Sequence, residues 1–417
     1  MKLSIKNVGK LKEADVEING ITVITGENDT GKSTVGKVLW SVFNGFYEID
    51  EKVYNEKVSE LTKIVDKLMK ENGYNKITDN FKDFFGIFDR TEEKIAIELL
   101  KNNKNYSEDE IKIIINNYKK DLKIENISKF VQEINETLKI SDKEIIKVIV
   151  SRVMNKEFHN QINAVFFKEK MNIGEISLKI KDKEIDLKIE NNEISDVQNY
   201  FLINKETMYI DNPFILDSYD FEDENHQTHL ATNVFSENEN SVISEIKVKK
   251  KLNNIYQKLN SVLSGEILEN KNSKFVYRKN GEDIDLKNLS TGLKTFAIIK
   301  MLLQNGTLEE NGTIILDEPE IHLHPEWQLK FAELIVLLQK EFSMHILLTT
   351  HSPYFVSAIE VFSEKYKIDD KCKYYVAENK GNSGVIKDIT GNTNIIFKKM
   401  ARPFQDLENI RYAYDDE

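Results

Sequence analysis

The residues GENDTGKST, positions 26–34, combine glycine, lysine and hydroxyl side chains at a spacing that lets a backbone wrap around an anion. Gly26, Gly31, Lys32 and Ser33 fit GxxxxGK[ST]. In that pattern the backbone N–H groups of the loop, here through Asn28, Asp29 and Thr30, cradle phosphate oxygens, the lysine reaches the β and γ phosphates, and the serine hydroxyl joins Mg²⁺. Ile21, Val23 and Ile24 before it read as a buried strand, and the stretch from Thr34 to Trp40 begins a helix whose N-terminus turns its partial positive charge on the phosphates. A surface Gly-Lys turn would not have this strand–loop–helix setting.

Three further stretches carry groups suited to the same chemistry. In TIILDEPE the apolar run Ile314–Leu316 ends on Asp317 and Glu318, the edge at which open α/β sheets bind ligands. Asp317 can hold Mg²⁺ together with Ser33, and Glu318 can orient or deprotonate a water. HILLTT, residues 345–350, is a strand that delivers His351 to the same edge, where an imidazole can hydrogen-bond a γ-phosphate. In NLSTGLKTF, Ser290 and Gly292 open an apolar-periodic helix, although a plain helix cap would explain both residues adequately.

The elements that must position these groups can be followed along the chain. LSIKNV, ADVEI and ITVIT, separated by Gly9 and Asn19-Gly20, predict a small β-meander ahead of the phosphate loop. Residues 48–158 are rich in Lys, Glu and Asn with apolar residues at helical spacing, such as Val58, Leu61, Val65 and Leu68. They predict packed amphipathic helices; breaks at Gly73 and Gly86 argue against a long coiled-coil arm. The alternation in Glu175–Ile194 predicts a two-strand ribbon turning at Lys181-Asp182, and TMYIDNPFILD a strand stopped near Pro213. The acidic stretch Asp217–Asn240 predicts a mobile, solvated loop; it contains His226 and His229, which lack a companion metal ligand. Lys249, Lys250 and Lys251 are expected on a solvated helix face, the alternative being contact with a phosphate backbone.

Taken together, GENDTGKST, NLSTGLKTF, ILDEPEIHLHPEWQ and LLTTHSPYF resemble the Walker A, signature, Walker B with D-loop, and switch-histidine motifs of ABC-type ATPase heads. The likeness is to the RecF/SMC-like branch and, through EPEIHLHPEWQ and TTHSPYF, to stand-alone AAA-labelled ATPases related to OLD-family and Septu-type phage-defence proteins. It covers both ends of the chain and not the middle. The resemblance implies an α/β fold: a P-loop ABC-type head, with a mixed sheet and an N-terminal antiparallel β-subdomain, carrying a helical insertion. It divides the chain at 1–47, 48–160 and 161–417, with the insertion between the two parts of the head. It implies ATP and Mg²⁺ as cofactors, and a homodimer or higher oligomer in which Ser290 and Gly292 serve the nucleotide held by the other subunit's Lys32.

The signature departs from the common LSGGQ, keeping the serine and second glycine. The residues suggested for the Q-loop and adenine contacts are Asn212 and Asn7. The stretches KYYVAENK and GVIKDIT after His351 read as the last strands of the head, with no room for the Toprim nuclease of OLD proteins. The resemblance therefore implies that a separate effector, a nuclease or toxin, is regulated by ATP-driven assembly in bacterial defence. Two alternatives stand beside it: a DNA repair or recombination ATPase that clamps DNA, and a slowly hydrolysing nucleotide-sensing scaffold.

Composition narrows the classes. A net charge of −12 and a pI near 5.4 argue against a whole-surface nucleic-acid or membrane binder, though a local basic patch on an acidic protein would still permit nucleic-acid binding. Cys372 is the single cysteine, which excludes an internal disulfide framework and a paired-cysteine zinc site. With neither a long apolar run nor a signal-peptide core, the expected setting is the cytoplasm, with no membrane partner.

Overall fold

A computed structural model of the chain describes residues 1–74, 90–102, 104–119, 122, 125, 127–164, 173–217, 225–236, 254–270 and 275–415. It divides into two units: one formed by Met1–Tyr47 with Val150–Glu417, the other by Glu48–Ile149.

Among the described residues, the larger unit is built on an 11-stranded mixed sheet. Its antiparallel wing contains β1 (Lys2–Val8), β2 (Leu11–Glu17), β4 (Gly174–Ile180), β5 (Lys183–Glu190) and β6 (Glu193–Val197). Buried and open positions roughly alternate along these strands, as expected of a sheet with one face on the core. The other side of the sheet runs β13 (Cys372–Lys380), β3 (Ile21–Gly26), β12 (His345–Thr350), β11 (Thr313–Asp317) and β7 (Thr207–Ile210), every neighbouring pair parallel. β14 (Ser383–Asp388) joins the two halves, antiparallel to β13 and parallel to β2. This is the α/β head expected from the motifs.

Two strand expectations are corrected. The predicted three-strand meander is only a β1–β2 hairpin, because β3 leaves β2 and enters the sheet between β13 and β12. The cause lies in its composition: five successive residues of β3 are buried, so it needs cover on both faces, which the sheet centre supplies. The predicted two-strand ribbon is a three-strand extension, β4–β5–β6. Asn191 and Asn192 both have positive φ, 53° and 64°, and make the second tight turn.

Helices cover the parallel half. In chain order the larger unit begins with α1 (Lys32–Phe46). The smaller unit holds α2 (Ile49–Glu71), α3 (Thr91–Asn102), α4 (Glu108–Tyr118) and α5 (Ser128–Lys139), and α6 (Asp142–Glu157) runs from it back into the larger unit. There Val58, Leu61, Val65 and Leu68 are all buried with Leu99, Ile111 and Phe130, so this stripe packs within a helical cluster. The larger unit continues with α7 (His226–Val234), α8 (Thr291–Gln304), α9 (Pro325–Phe342), α10 (Pro353–Tyr366) and α11 (Asn394–Asp415). α8 and α9 enter the core through Phe296 and Phe331, which meet edge to face at 5.2 Å. A separate three-stranded sheet, β8 (Glu266–Glu269), β9 (Phe275–Lys279) and β10 (Glu282–Asp285), precedes α8.

The solvated loop expected around His226 and His229 is also corrected. Asn225 caps α7 by accepting from the Gln227 and Thr228 N–H groups, and His226, Leu230 and Val234 point into the core. Gly86, Lys249, Lys250 and Lys251 lie outside the described residues. Among those described, no helix is long and apolar enough to cross a membrane.

Candidate nucleotide-binding site

The loop between β3 and α1 is built for close approach. Gly26 has φ 155°, and a Cβ there would come within 2.4 Å of the Ala377 carbonyl oxygen on β13; Gly31 has φ 90°, and a Cβ would meet Leu11 Cδ2 at 2.6 Å. Asn28 and Asp29 are exposed at the loop tip, where Asp29 takes a left-handed conformation and pairs with Lys10 at 2.7 Å. Thr30 is buried, and its hydroxyl closes the loop by donating to the Glu27 carbonyl at 2.8 Å. No side chain caps α1, which leaves its N-terminus suited to an anion.

Lys32 is 4 % exposed, and its ammonium donates to the carbonyls of Gly26 (3.2 Å) and Glu27 (2.9 Å). Burial lowers its pKa, opposed by the carboxylates of Glu318 and Asp317. The nearer of these, Glu318 Oε1, is 3.6 Å from Lys32 Nζ and also lies against His351 Nε2. His351 Nε2 is in turn 3.0 Å from Lys32 Nζ. One ring nitrogen cannot both donate to Glu318 and accept from Lys32. The carboxylate contact is the closer, so Nε2–H faces Glu318, and Lys32 turns its protons to the loop carbonyls.

Asp317 and Glu318 are held by β12 and β7. Thr349 gives its hydroxyl proton to Asp317 Oδ1, and Tyr209 donates to Asp317 Oδ2 at 2.9 Å. Glu318 sits in the left-handed region at φ 51°, and its N–H is 3.1 Å from both the Thr349 carbonyl and hydroxyl oxygens. A non-glycine residue there costs about 1 kcal/mol or more, a strain that collects at functional sites. Burial works against the charged form of Glu318, but His351 and Lys32 outweigh it and lower its pKa, so the carboxylate is ionised at neutral pH. Two residues on, Glu320 is 3 % exposed and accepts from the Thr350 hydroxyl and the His351 N–H. Burial raises its pKa.

Glu318 and His351 border a cavity of about 1070 Å³, lined also by the phosphate loop at Gly26–Asn28 and Thr30 and by the end of β13 at Val376–Asn379. That is ample for a nucleoside triphosphate. Ser290 and Gly292 are not among its lining residues. Ser290 is exposed at the N-cap of α8 and makes no side-chain cap, so the simple capping role does not account for it. Gly292 has a packing role: a Cβ would meet the Trp327 ring at 3.2 Å. Asn212 spends its side-chain oxygen on the Phe214 N–H, and Asn7 donates to the Ile173 carbonyl.

The structure adds residues that sequence reasoning missed. Tyr209 and Thr349 look like ordinary strand residues, and only strand pairing puts their hydroxyls beside Asp317. His226 is clamped with Nδ1 at 2.8 Å from Glu157 Oε2 and Nε2 at 2.9 Å from Asp211 Oδ2. Burial opposes its charge, but the carboxylates of Asp211 and Glu157 against its two ring nitrogens prevail and push its pKa up to about 9. The i,i+4 spacing of His226, Leu230 and Val234 behind Asn225 was the available signal, hidden by the acidic residues before it.

The donor set suits Mg²⁺ bound through nucleotide phosphates. Among the described residues no group of three or more His, Cys, Asp or Glu can hold a metal alone. Mg²⁺ commonly takes only one or two protein oxygens, completing its shell with phosphates and water. Asp317 and the Ser33 hydroxyl would hold it here. A buried ammonium among carbonyl and carboxylate oxygens suits the phosphates themselves.

A phosphate loop on an inner strand, an acidic pair ending the strand beyond its neighbour and a histidine following the strand between them define a P-loop ATPase head of the ABC type. The chain belongs to the family described as "AAA domain, putative AbiEii toxin, Type IV TA system", whose family model matches residues 21–357, and it is an ATPase. It is similar to the "Retron Vc95 probable ATPase" of Vibrio cholerae serotype O1 biovar El Tor, 32 % identical over 107 residues, a match that covers 23 % of this chain and 20 % of that protein. The chain thus aligns with about a fifth of that relative's length. Similar solved structures include an SMC head bound to the C-winged helix domain of ScpA, at 11 % identity and TM-score 0.44, covering 93 % of this chain and 96 % of that one. A Pyrococcus furiosus SMC head with an extended coiled coil, bound to the C-terminal domain of ScpA, matches at 9 % identity and TM-score 0.42 over 98 % of each chain.

Proposed function

We propose that this ATPase binds Mg²⁺ and ATP at the phosphate loop, hydrolyses ATP between two copies of the chain, and uses the resulting assembly to control a separate effector, a nuclease or toxin, in bacterial anti-phage defence. The observation that carries the hydrolytic part is the convergence of Lys32, Glu318 and His351 from three elements, with Glu318 and His351 lining one cavity. Gly26, Asn28, Asp29, Thr30, Gly31, Lys32, Ser33 and Thr34 would enclose the phosphates. Lys32 would neutralise the terminal oxygens, Asp317 and Ser33 would hold Mg²⁺, which would draw charge from the β and γ phosphates, and ionised Glu318 would take a proton from the attacking water. His351 Nε2–H would turn from Glu318 to the γ-phosphate.

Support for two copies comes from Ser290. Its hydroxyl is exposed and unused as a cap, which suits a phosphate ligand for a second copy's nucleotide. Support for defence comes from the toxin–antitoxin wording of the family description and from the retron ATPase relative. With ATP and Mg²⁺, light scattering should show a doubling of mass or more for Glu318→Gln, in which hydrolysis is blocked. Ser290→Arg, added to it, should remain monomeric while still binding nucleotide. A monomer with ATP in the first case, or an unchanged ATP-dependent mass in the second, would overturn the shared-site arrangement. Expression of the chain with its neighbouring genes should lower phage plating, and loss of Lys32 should abolish that protection.

A further inference from the structure

Behind the acidic pair, a tyrosine hydroxyl reaches the carboxylate assigned to the metal. Tyr209 lies on β7, which is parallel to β11 with Tyr209 paired to Ile315. Its side chain is 1 % exposed and points toward α1. Its hydroxyl is 2.9 Å from Asp317 Oδ2 and 3.5 Å from the Ser33 carbonyl oxygen. One O–H therefore stands between the two residues expected to share Mg²⁺. Only Asp317 Oδ2 is at full hydrogen-bond distance, and it receives the proton.

The surroundings give this hydroxyl little freedom. On α1, Gly36 leaves the room it occupies: a Cβ at Gly36 would lie 3.2 Å from both Tyr209 Cζ and its oxygen, and 3.1 Å from Ile315 Cγ2. On the other side the ring stacks on His226, centroids 4.3 Å apart at 25°. His226 is itself fixed between Glu157 and Asp211. The second carboxylate oxygen, Oδ1, accepts from Thr349. Asp317 is thus gripped at both oxygens by hydroxyls from the strands on either side. Each oxygen keeps a further lone pair.

We infer that Tyr209 is a positioning residue for Mg²⁺: its hydroxyl fixes the rotamer of Asp317, and Gly36 is the gap that admits it. The inference rests on the ATPase reading above. Partners of this kind orient a carboxylate before the metal arrives, and losing one commonly lowers metal affinity by about 10- to 100-fold.

The test uses Tyr209→Phe and Gly36→Ala in the full chain. Binding of a fluorescent ATP analogue is measured without metal and then over a Mg²⁺ titration, and bound Mn²⁺ is followed by its paramagnetic signal. Tyr209→Phe should bind the nucleotide without metal as the wild type does, and should need about tenfold more Mg²⁺ or Mn²⁺ for half-saturation. Gly36→Ala keeps the hydroxyl but displaces it, and should shift the metal requirement in the same direction. If Tyr209→Phe left the metal requirement unchanged while wild type responded to Mg²⁺, the inference would be overturned and Tyr209 would be a packing residue. If wild type showed no metal-dependent nucleotide binding, the proposed binding of Mg²⁺ with ATP at the phosphate loop would fail instead. A variant that melts earlier yet titrates metal like wild type would also count against the inference.

Discussion

Replacing His226 by Phe isolates the charge on a buried imidazole. The ring and its stacking on Tyr209 are retained, and what is lost is the cation between Glu157, whose side chain is 1 % exposed, and Asp211. Removing one partner of a buried ion pair costs about 3–5 kcal/mol because the other charge is left without compensation. Glu157 keeps the His226 backbone N–H at 3.2 Å and Lys37 at 3.7 Å, so the lower end, about 3 kcal/mol, is expected near pH 7. With an unfolding entropy of about 2 cal/mol/K per residue over a unit of roughly 300 residues, this lowers Tm by about 5 °C.

The pH dependence gives the sign. The folded pKa of His226 is about 9, above the ordinary histidine value, so the folded state binds the extra proton. Its contribution is complete below about pH 6.5, falls as pH rises, and is lost once pH passes about 9, some 3 kcal/mol in all. Asp211, whose pKa is lowered, loses its own contribution only in acid and does not interfere in this window. Thermal melts of wild type and His226→Phe at pH 7 and pH 9.5 should therefore show a gap that narrows by several degrees. A gap of the same size at both pH values would refute a charged His226 and leave only packing at that site.

Further outcomes follow from the site. Lys32→Ala removes a buried cation and its charge-assisted bonds to phosphate, about 2–3 kcal/mol, so nucleotide affinity measured by filter binding should fall roughly 30- to 150-fold. His351→Ala removes a side chain that is 28 % exposed, so the protein should stay folded by circular dichroism. Its kcat should drop by about tenfold or more, with ATP affinity within about twofold of wild type; a collapse of the fold would make His351 a core residue.

The parts of the site that could be read from the sequence were those whose geometry is local. In GENDTGKST the glycines, the lysine and the helix start follow one another within nine residues, and Asp317-Glu318 and His351 each end an apolar strand. What depends on strand pairing was not legible. Tyr209 reads as an apolar core residue until β7 is set beside β11, and β3 reads as the third strand of a meander until β13 and β14 come between it and β2. Glu320 belongs to the same acidic stretch as Glu318, yet its partners are on β12 and the loop after it, so its role in holding the His351 backbone emerges only in three dimensions. His226 was hidden for a different reason: acidic neighbours suggested solvent, while its two carboxylate partners lie 69 and 15 residues before it.

The most direct measurement is phosphate release by Glu318→Gln under single-turnover conditions with ATP and Mg²⁺. The substitution keeps the size and a hydrogen-bonding oxygen but removes the charge that accepts the water's proton. ATP should bind with near wild-type affinity while phosphate release falls by at least about 100-fold. Release at the wild-type rate would contradict Glu318 as the catalytic carboxylate, and with it the assignment of hydrolysis to this site.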